Sequence, residues 1–141
     1  MTDEMIKLGK RAVACKGWRW MPGMLSDEGR VVEINVYGLL VGYTTGIILK
    51  SGAQGWPCAW ESSASLRLPD LSDPATLGCL LALVRQVRKS PAGSVCPHHV
   101  TVQPDPDFDV WSWYDSEQPR LIVMDGSTEA EAMVAALEAA L

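Results

Sequence analysis

Apolar residues recur along this chain with two different periods, and the switches between them mark out its elements. Between residues 3 and 14 the spacing is helical, with Met5, Leu8, Ala12 and Cys15 on one side. Thr2 or Asp3 can cap that helix, Asp3 and Glu4 suit its positive end, and Lys10 and Arg11 suit its negative end. Gly17 closes it. The next run, from Gly17 to Met24, mixes bulky residues with one Pro and two Gly, and reads as an ordered loop or short strand fixed by its aromatics. The period then falls to two. Val32, Ile34 and Val36 alternate with Glu33, Asn35 and Tyr37, the pattern of a half-buried strand. Gly38, Gly42 and Gly46 interrupt the run from Arg30 to Lys50, so a hairpin is expected to turn at Gly38 or at Gly42. A shorter strand near Trp56–Trp60 is confined to a sheet edge by Pro57.

Helical spacing returns at Asp73, an N-cap residue followed by Pro74 at the first helical position, where the missing N–H costs nothing. Leu77, Leu80, Leu81 and Val84 form a stripe that Cys79, Ala82 and Leu83 widen almost all round, which predicts a helix buried on most sides in its first half. Arg85, Arg88 and Lys89 mark a solvated end, and Pro91 and Gly93 stop it. Strands are expected at Val95–Val102, Phe108–Tyr114 and Leu121–Met124, the first two separated by a rigid acidic turn from Gln103 to Asp107. A capping box opens the last helix, with Thr128 as cap and Glu131 reaching back to it, and Ala130, Met133, Val134, Leu137 and Leu141 forming its buried face. Clustered strands with short connections predict an α+β fold: a mostly antiparallel β-sheet of about five to six strands with an N-terminal, a central and a C-terminal helix. At 141 residues the chain is expected to be a single domain, large enough to bury a core without metal or disulfide.

Composition narrows the function classes. With 48% apolar and 21% charged residues the chain is globular in type. A net charge of −5 argues against duplex nucleic acid as a partner, because phosphate affinity comes from clustered Lys and Arg. The charge is uneven, however: Lys7, Lys10, Arg11, Lys16, Arg19 and Arg30 lie early, and most acids lie within residues 105–138. A local anion site is therefore compatible with the sequence, and the two ends are expected to attract each other or a neighbouring subunit. The four cysteines (Cys15, Cys58, Cys79, Cys96) show no zinc-knuckle or redox spacing, the first residues lack the basic and apolar regions of a secretory signal, and no apolar run approaches a membrane span. Reduced thiols and a cytoplasmic location without membrane association are expected.

No catalytic motif stands out. The chain has no Gly-x-Ser-x-Gly elbow, and Gly42 and Gly46 are followed by Ile47 where a phosphate loop needs Lys. Cys96 and His98 would share one side of a strand and supply half a metal site, with Cys58 arriving only through the fold; no second cluster completes it, so no metal or cofactor is expected. Asp105, Asp107 and Asp109 begin like a calcium loop, but Val110 and Ser116 stand where that loop needs Gly and Glu. The unusual feature is tryptophan, six against three Tyr and one Phe. Trp111 and Trp113 fall two apart on a strand and so share a face. Trp18 and Trp20 flank Arg19, an arrangement that can stack a nucleobase and hold a phosphate. Indoles also fill cores and mediate subunit contacts. The candidate ligand-binding set is Trp18, Arg19, Trp20, Trp111 and Trp113.

Three segments carry a resemblance: RAVACKGWRWMPGM from Arg11 to Met24, LSDPATLGCLLALVR from Leu71 to Arg85, and TEAEAMVAALEAA from Thr128 to Ala140, together about 42 of the 141 residues. Their order and content resemble a family of small accessory proteins encoded in tailed phages and prophages. The resemblance carries no catalytic residues over. It implies phage origin; small acidic phage proteins without catalytic motifs are often accessory factors that antagonise host antiviral defence, and by that analogy of class a non-enzymatic role in the host cytoplasm is expected. Two modes suit that class: a homo-oligomeric sponge for a cyclic nucleotide or cyclic ADP-ribose-type signal, or an inhibitor that occupies a host defence protein. A phage structural or assembly role fits the same composition.

Overall fold

The computed structural model describes residues 1–35, 37–44, 60–62, 66–100, 108–114 and 125–140. The protein is α+β, with helices α1 (Asp3–Ala14), α2 (Pro74–Val87) and α3 (Glu129–Glu138) at the start, centre and end of the chain. The described strands are β1 (Arg30–Ile34), β2 (Leu40–Thr44), β3 (Trp60–Ser62), β4 (Ser94–Val100), β5 (Phe108–Tyr114) and β6 (Asp125–Gly126). All pairings among them are antiparallel, but they form two three-stranded sheets, β1-β2-β3 and β4-β5-β6, where one larger sheet was expected. Each of these strands pairs with its neighbour in sequence within its sheet, and α2 intervenes between the two groups along the chain. The predicted strands at 121–124 and 56–59 and the acidic turn at 103–107 lie outside the described residues.

The chain divides into two compact units, one comprising Met1–Gly9 and Arg19–Cys79, the other Lys10–Trp18 and Leu80–Leu141. In the first unit, β1 and β2 form the expected hairpin, and it turns at Gly38. Asn35 sets that turn: its Oδ1 accepts the N–H groups of Tyr37 (2.9 Å) and Leu39 (3.0 Å), and Gly38 takes φ +77°, which a side chain would oppose. Gly42 instead sits in mid-strand opposite Val32, where a Cβ would come within 2.8 Å of Leu66 Cδ2. Leu8, Met24, Val32, Val41, Leu66 and Leu71 make this unit's buried apolar set. α1 is capped by Thr2, whose Oγ1 accepts the Met5 N–H at 3.3 Å and whose carbonyl accepts that of Ile6.

In the second unit α3 packs on the sheet β4-β5-β6. Ala130, Ala132, Met133, Val134, Ala136 and Leu137 of α3 are buried together with Ala12, Leu80, Leu83, Val84 and Trp113. Pro97 lies on β4, which is at the edge of its sheet among the described strands, the place where a proline is tolerated. Thr128 caps α3 as expected, accepting the Glu131 N–H at 3.2 Å. Glu131 reaches one residue further back than a capping box requires, accepting both the backbone N–H (2.8 Å) and the hydroxyl (2.6 Å) of Ser127.

α2 starts where Asp73-Pro74 predicts. Asp73 Oδ2 accepts the Thr76 N–H at 2.8 Å and the Thr76 hydroxyl at 2.9 Å, and Thr76 Oγ1 in turn accepts the Leu25 N–H at 2.8 Å. The expectation that the first half of α2 is buried on most sides is overturned, since Pro74, Ala75 and Gly78 are exposed, while the solvated end at Lys89 is as expected. Thr76, Leu80, Leu83 and Val84 are buried, whereas Gly78, Ala82, Gln86 and Lys89 follow each other at three- to four-residue spacing along an exposed face. The small residues at 78 and 82 gain little from burial, so that face stays open.

Candidate functional site

The segment around Arg19 is held by backbone geometry more than by its aromatics. After α1, the Trp18 N–H donates to the Cys15 carbonyl at 3.0 Å. The chain then makes a tight turn at 21–24, in which the Met24 N–H bonds the Met21 carbonyl at 3.1 Å and Gly23 adopts φ +98°. That turn is fastened to β1 by two backbone bonds, Gly23 N–H to the Val32 carbonyl and Val32 N–H to the Met24 carbonyl, both 2.8 Å. Met24 is fully buried beneath it, and the Cys79 thiol donates to the Pro22 carbonyl at 3.4 Å. The loop presenting Arg19 and Trp20 is therefore ordered, as anticipated, but its anchor is Met24 and the strand beside it.

Arg19 is exposed, while Trp18 and Trp20 are half-buried. All three are engaged in interactions with other groups of the chain. Arg19 and Trp20 belong to the first compact unit, and Trp18 closes the Lys10–Trp18 segment of the second. Trp111 and Trp113 lie on β5, opposite Pro97 and Val95 of β4 respectively. Trp111 is half-buried, and it also faces Gly126 of β6. Trp113 is the largest fully enclosed side chain described, at 0% exposure. Its ring lies against Gly93, and its indole N–H has no hydrogen-bond partner among the described residues. An indole with neither face accessible cannot stack a base, so Trp113 is a core residue and leaves the candidate set.

Of the half-site drawn from the Cys96 run, Cys58 and the side chain of His98 lie outside the described residues. Cys96 is half-buried, with Sγ 3.8 Å from Ser94 Oγ. Among the described residues no group of three or more His, Cys, Asp or Glu converges on a point that could hold a metal. Asp105 and Asp107 lie outside the described residues.

Sequence reading missed how the early cations are used. Arg11 donates two parallel hydrogen bonds to Glu138, Nε to Oε1 at 2.9 Å and Nη2 to Oε2 at 2.8 Å, with Glu131 a further 4.0 Å contact. This realises, within the second unit, the expected attraction between the basic start and the acidic end. The hydrogen bond from Arg11 lowers the Glu138 pKa, and the Ser127 hydroxyl lowers that of Glu131. Beside the pair, Cys15 and Lys16 line a shallow groove of about 460 Å³, in which burial pushes the Cys15 thiol pKa upward. A bidentate carboxylate already occupies the Arg11 fork, so this groove offers an anion little. Sequence spacing could not have found the pair, because 127 residues separate its members. Among the described residues no helix is long and apolar enough to cross a membrane. No protein-family model, curated protein or solved structure matches the chain.

Proposed function

We propose that this chain is an accessory binding protein of tailed-phage type that antagonises host antiviral defence by sequestering a nucleotide-derived signal. It acts as a homo-oligomer in the host cytoplasm, without catalysis and without a cofactor. The observation that carries the reading is the exposed Arg19 beside the half-buried Trp20, presented on a loop that two short backbone bonds fasten to β1. An exposed guanidinium next to an indole brings a positive charge to a phosphate and a stacking surface to a base, and a fastened loop loses little freedom on binding. The phage resemblance supplies the biological class, and the absence of any catalytic motif in the sequence agrees with capture in preference to turnover. Isothermal titration with cyclic dinucleotides and cyclic ADP-ribose isomers tests it. Replacing Arg19 by Gln should weaken binding at least about tenfold, as expected for a charge-assisted hydrogen bond to phosphate, with the melting temperature unchanged. Binding that survives both Arg19→Gln and Trp20→Ala in folded protein refutes the assignment.

A second reading, inhibition of a host defence protein by direct contact, is favoured by the β1–β2 hairpin. Ile34, Tyr37 and Leu39 are 59%, 84% and 58% exposed on a turn that Asn35 holds rigid, and protruding apolar anchors of that kind dominate protein interfaces. It predicts a host protein that co-purifies with the wild type and is lost with Tyr37→Asp.

A further inference from the structure

The C-terminal end of α2 carries a lysine where a helix ordinarily has glycine. The Ser90 N–H donates to the Arg85 carbonyl at 2.8 Å, and the Lys89 N–H donates to the Gln86 carbonyl at 3.2 Å. This pair of bonds is the left-handed helix stop in which the residue after the cap must take positive φ. Lys89 takes it, with φ +53°, and is the one positive-φ residue other than glycine among the described residues. A Cβ in that region clashes with the backbone, so glycine would be the better residue for stability alone. A strained position filled by a charged side chain points to a use for that side chain.

Lys89 has a second cation beside it. Together with Arg85 it lines a groove of about 540 Å³ whose other described walls are Ala82, Gln86 and Pro91. Arg85 is oriented in advance, because its Nε donates to the Gly93 carbonyl at 2.6 Å and its terminal nitrogens make no other hydrogen bond among the described residues. Lys89 makes no ion pair among the described residues, and none of the described lining residues is acidic. The helix end itself carries roughly half a negative charge, which disfavours an anion there. Against that, Arg85 and Lys89 bring two positive charges, and the helix stop already occupies the Arg85 and Gln86 carbonyls. Ala82 and Pro91 add a small apolar wall on the exposed face of α2.

We infer that this groove is a binding site for a phosphorylated small molecule, with the phosphate held between Arg85 and Lys89 and an apolar or ring-shaped body lying over Ala82 and Pro91. The described lining residues all belong to the second unit, and the inference does not depend on the Arg19–Trp20 assignment. The test is a titration of the full-length protein with inorganic phosphate and with adenosine monophosphate, read by amide chemical shifts at residues 82–93 and by calorimetry. Both probes should shift those amides, and adenosine monophosphate should bind more tightly than inorganic phosphate because its body covers Ala82 and Pro91. Lys89→Gly removes the charge while relieving the strained backbone. It should weaken binding at least about fivefold, the loss of one charge-assisted contact, while the melting temperature stays the same or rises. Lys89→Arg should keep affinity within about twofold, and Gln86→Glu, an exposed change that adds a like charge to the ligand, should lower it. Trp20→Ala should leave these shifts untouched. Absence of shifts at 82–93 with either probe, or unchanged binding in Lys89→Gly, overturns the site.

Discussion

Gly93 and Trp113 illustrate how much one residue's role depends on another far away in sequence. The Trp113 ring occupies the space that a Cβ on Gly93 would need, and Ser90 Oγ lies 2.9 Å from the same point. Gly93 is therefore retained for space. Gly93→Ala should destabilise the protein by about 1–3 kcal/mol through overpacking, with a lower melting temperature as the readout. Trp113→Ala should cost about 3–5 kcal/mol, the range for deleting a large buried aromatic. Trp113→Phe should cost clearly less than half of that, because it also removes an indole N–H that lies buried without a hydrogen-bond partner among the described residues. If Phe were as damaging as Ala, the N–H would have to be satisfied and essential. At this scale the sequence shows only part of the answer. Period-two spacing puts Trp111 and Trp113 on one face, yet nothing in the spacing distinguishes the half-buried indole from the enclosed one. Lys89 is less legible still, because a lysine near a helix C-terminus is ordinary and only its positive φ separates it from its neighbours.

Helix starts are the most legible elements, since caps act through neighbours in sequence. Asp73-Pro74 and Thr128 each begin a helix as their chemistry dictates. Asp73 does more than cap. Its carboxylate takes the Thr76 hydroxyl, and that hydroxyl oxygen receives the Leu25 N–H, so one side chain fixes both α2 and the loop leading to β1. Asp73→Ala should cost about 1–2 kcal/mol, the upper part of the range for N-caps, and Asp73→Asn should recover much of it; chemical denaturation measures both. The hairpin was legible as a hairpin but not in its turn. Gly38 and Gly42 look alike in sequence, and they differ because Asn35 bonds the amides around one while Leu66, more than twenty residues on, crowds the other. Burial of α2 was overestimated for a related reason: an apolar stripe records what can be buried, and Ala82 is too small to demand it.

Across the molecule, the basic start and acidic end meet through Arg11, Glu131 and Glu138. Both glutamates have folded-state pKa values below their ordinary 4.5, Glu138 through the Arg11 hydrogen bond and Glu131 through Ser127. Groups with depressed values stabilise the fold above their unfolded pKa, and that contribution disappears as pH falls through the folded values. The melting temperature should therefore be level near neutrality and decline below about pH 4.5, with a smaller decline in Glu138→Gln; because the pair is exposed, 0.5 M salt should reduce the difference between the two proteins. The fold class was legible at this scale because clustered strands close on their sequence neighbours. The partition into two sheets was not, since it depends on which edges pair after the chain has folded. The candidate site was legible as a composition, aromatic and basic residues side by side, but not as a geometry: Trp113 proves to be core, Arg19 proves exposed, and the groove on α2 has no sequence signature.

The central claim is that this protein captures a nucleotide-derived signal at Arg19 and Trp20, and native mass spectrometry of the full-length chain tests it most directly. Sprayed alone and then with a panel of cyclic nucleotides and cyclic ADP-ribose isomers, the wild type should appear as a discrete homo-oligomer that gains the mass of one panel member. The Arg19→Gln, Trp20→Ala double variant should keep the oligomer and lose the added mass. A wild-type protein that stays bare across the panel, or a double variant that still carries the ligand, would contradict the account.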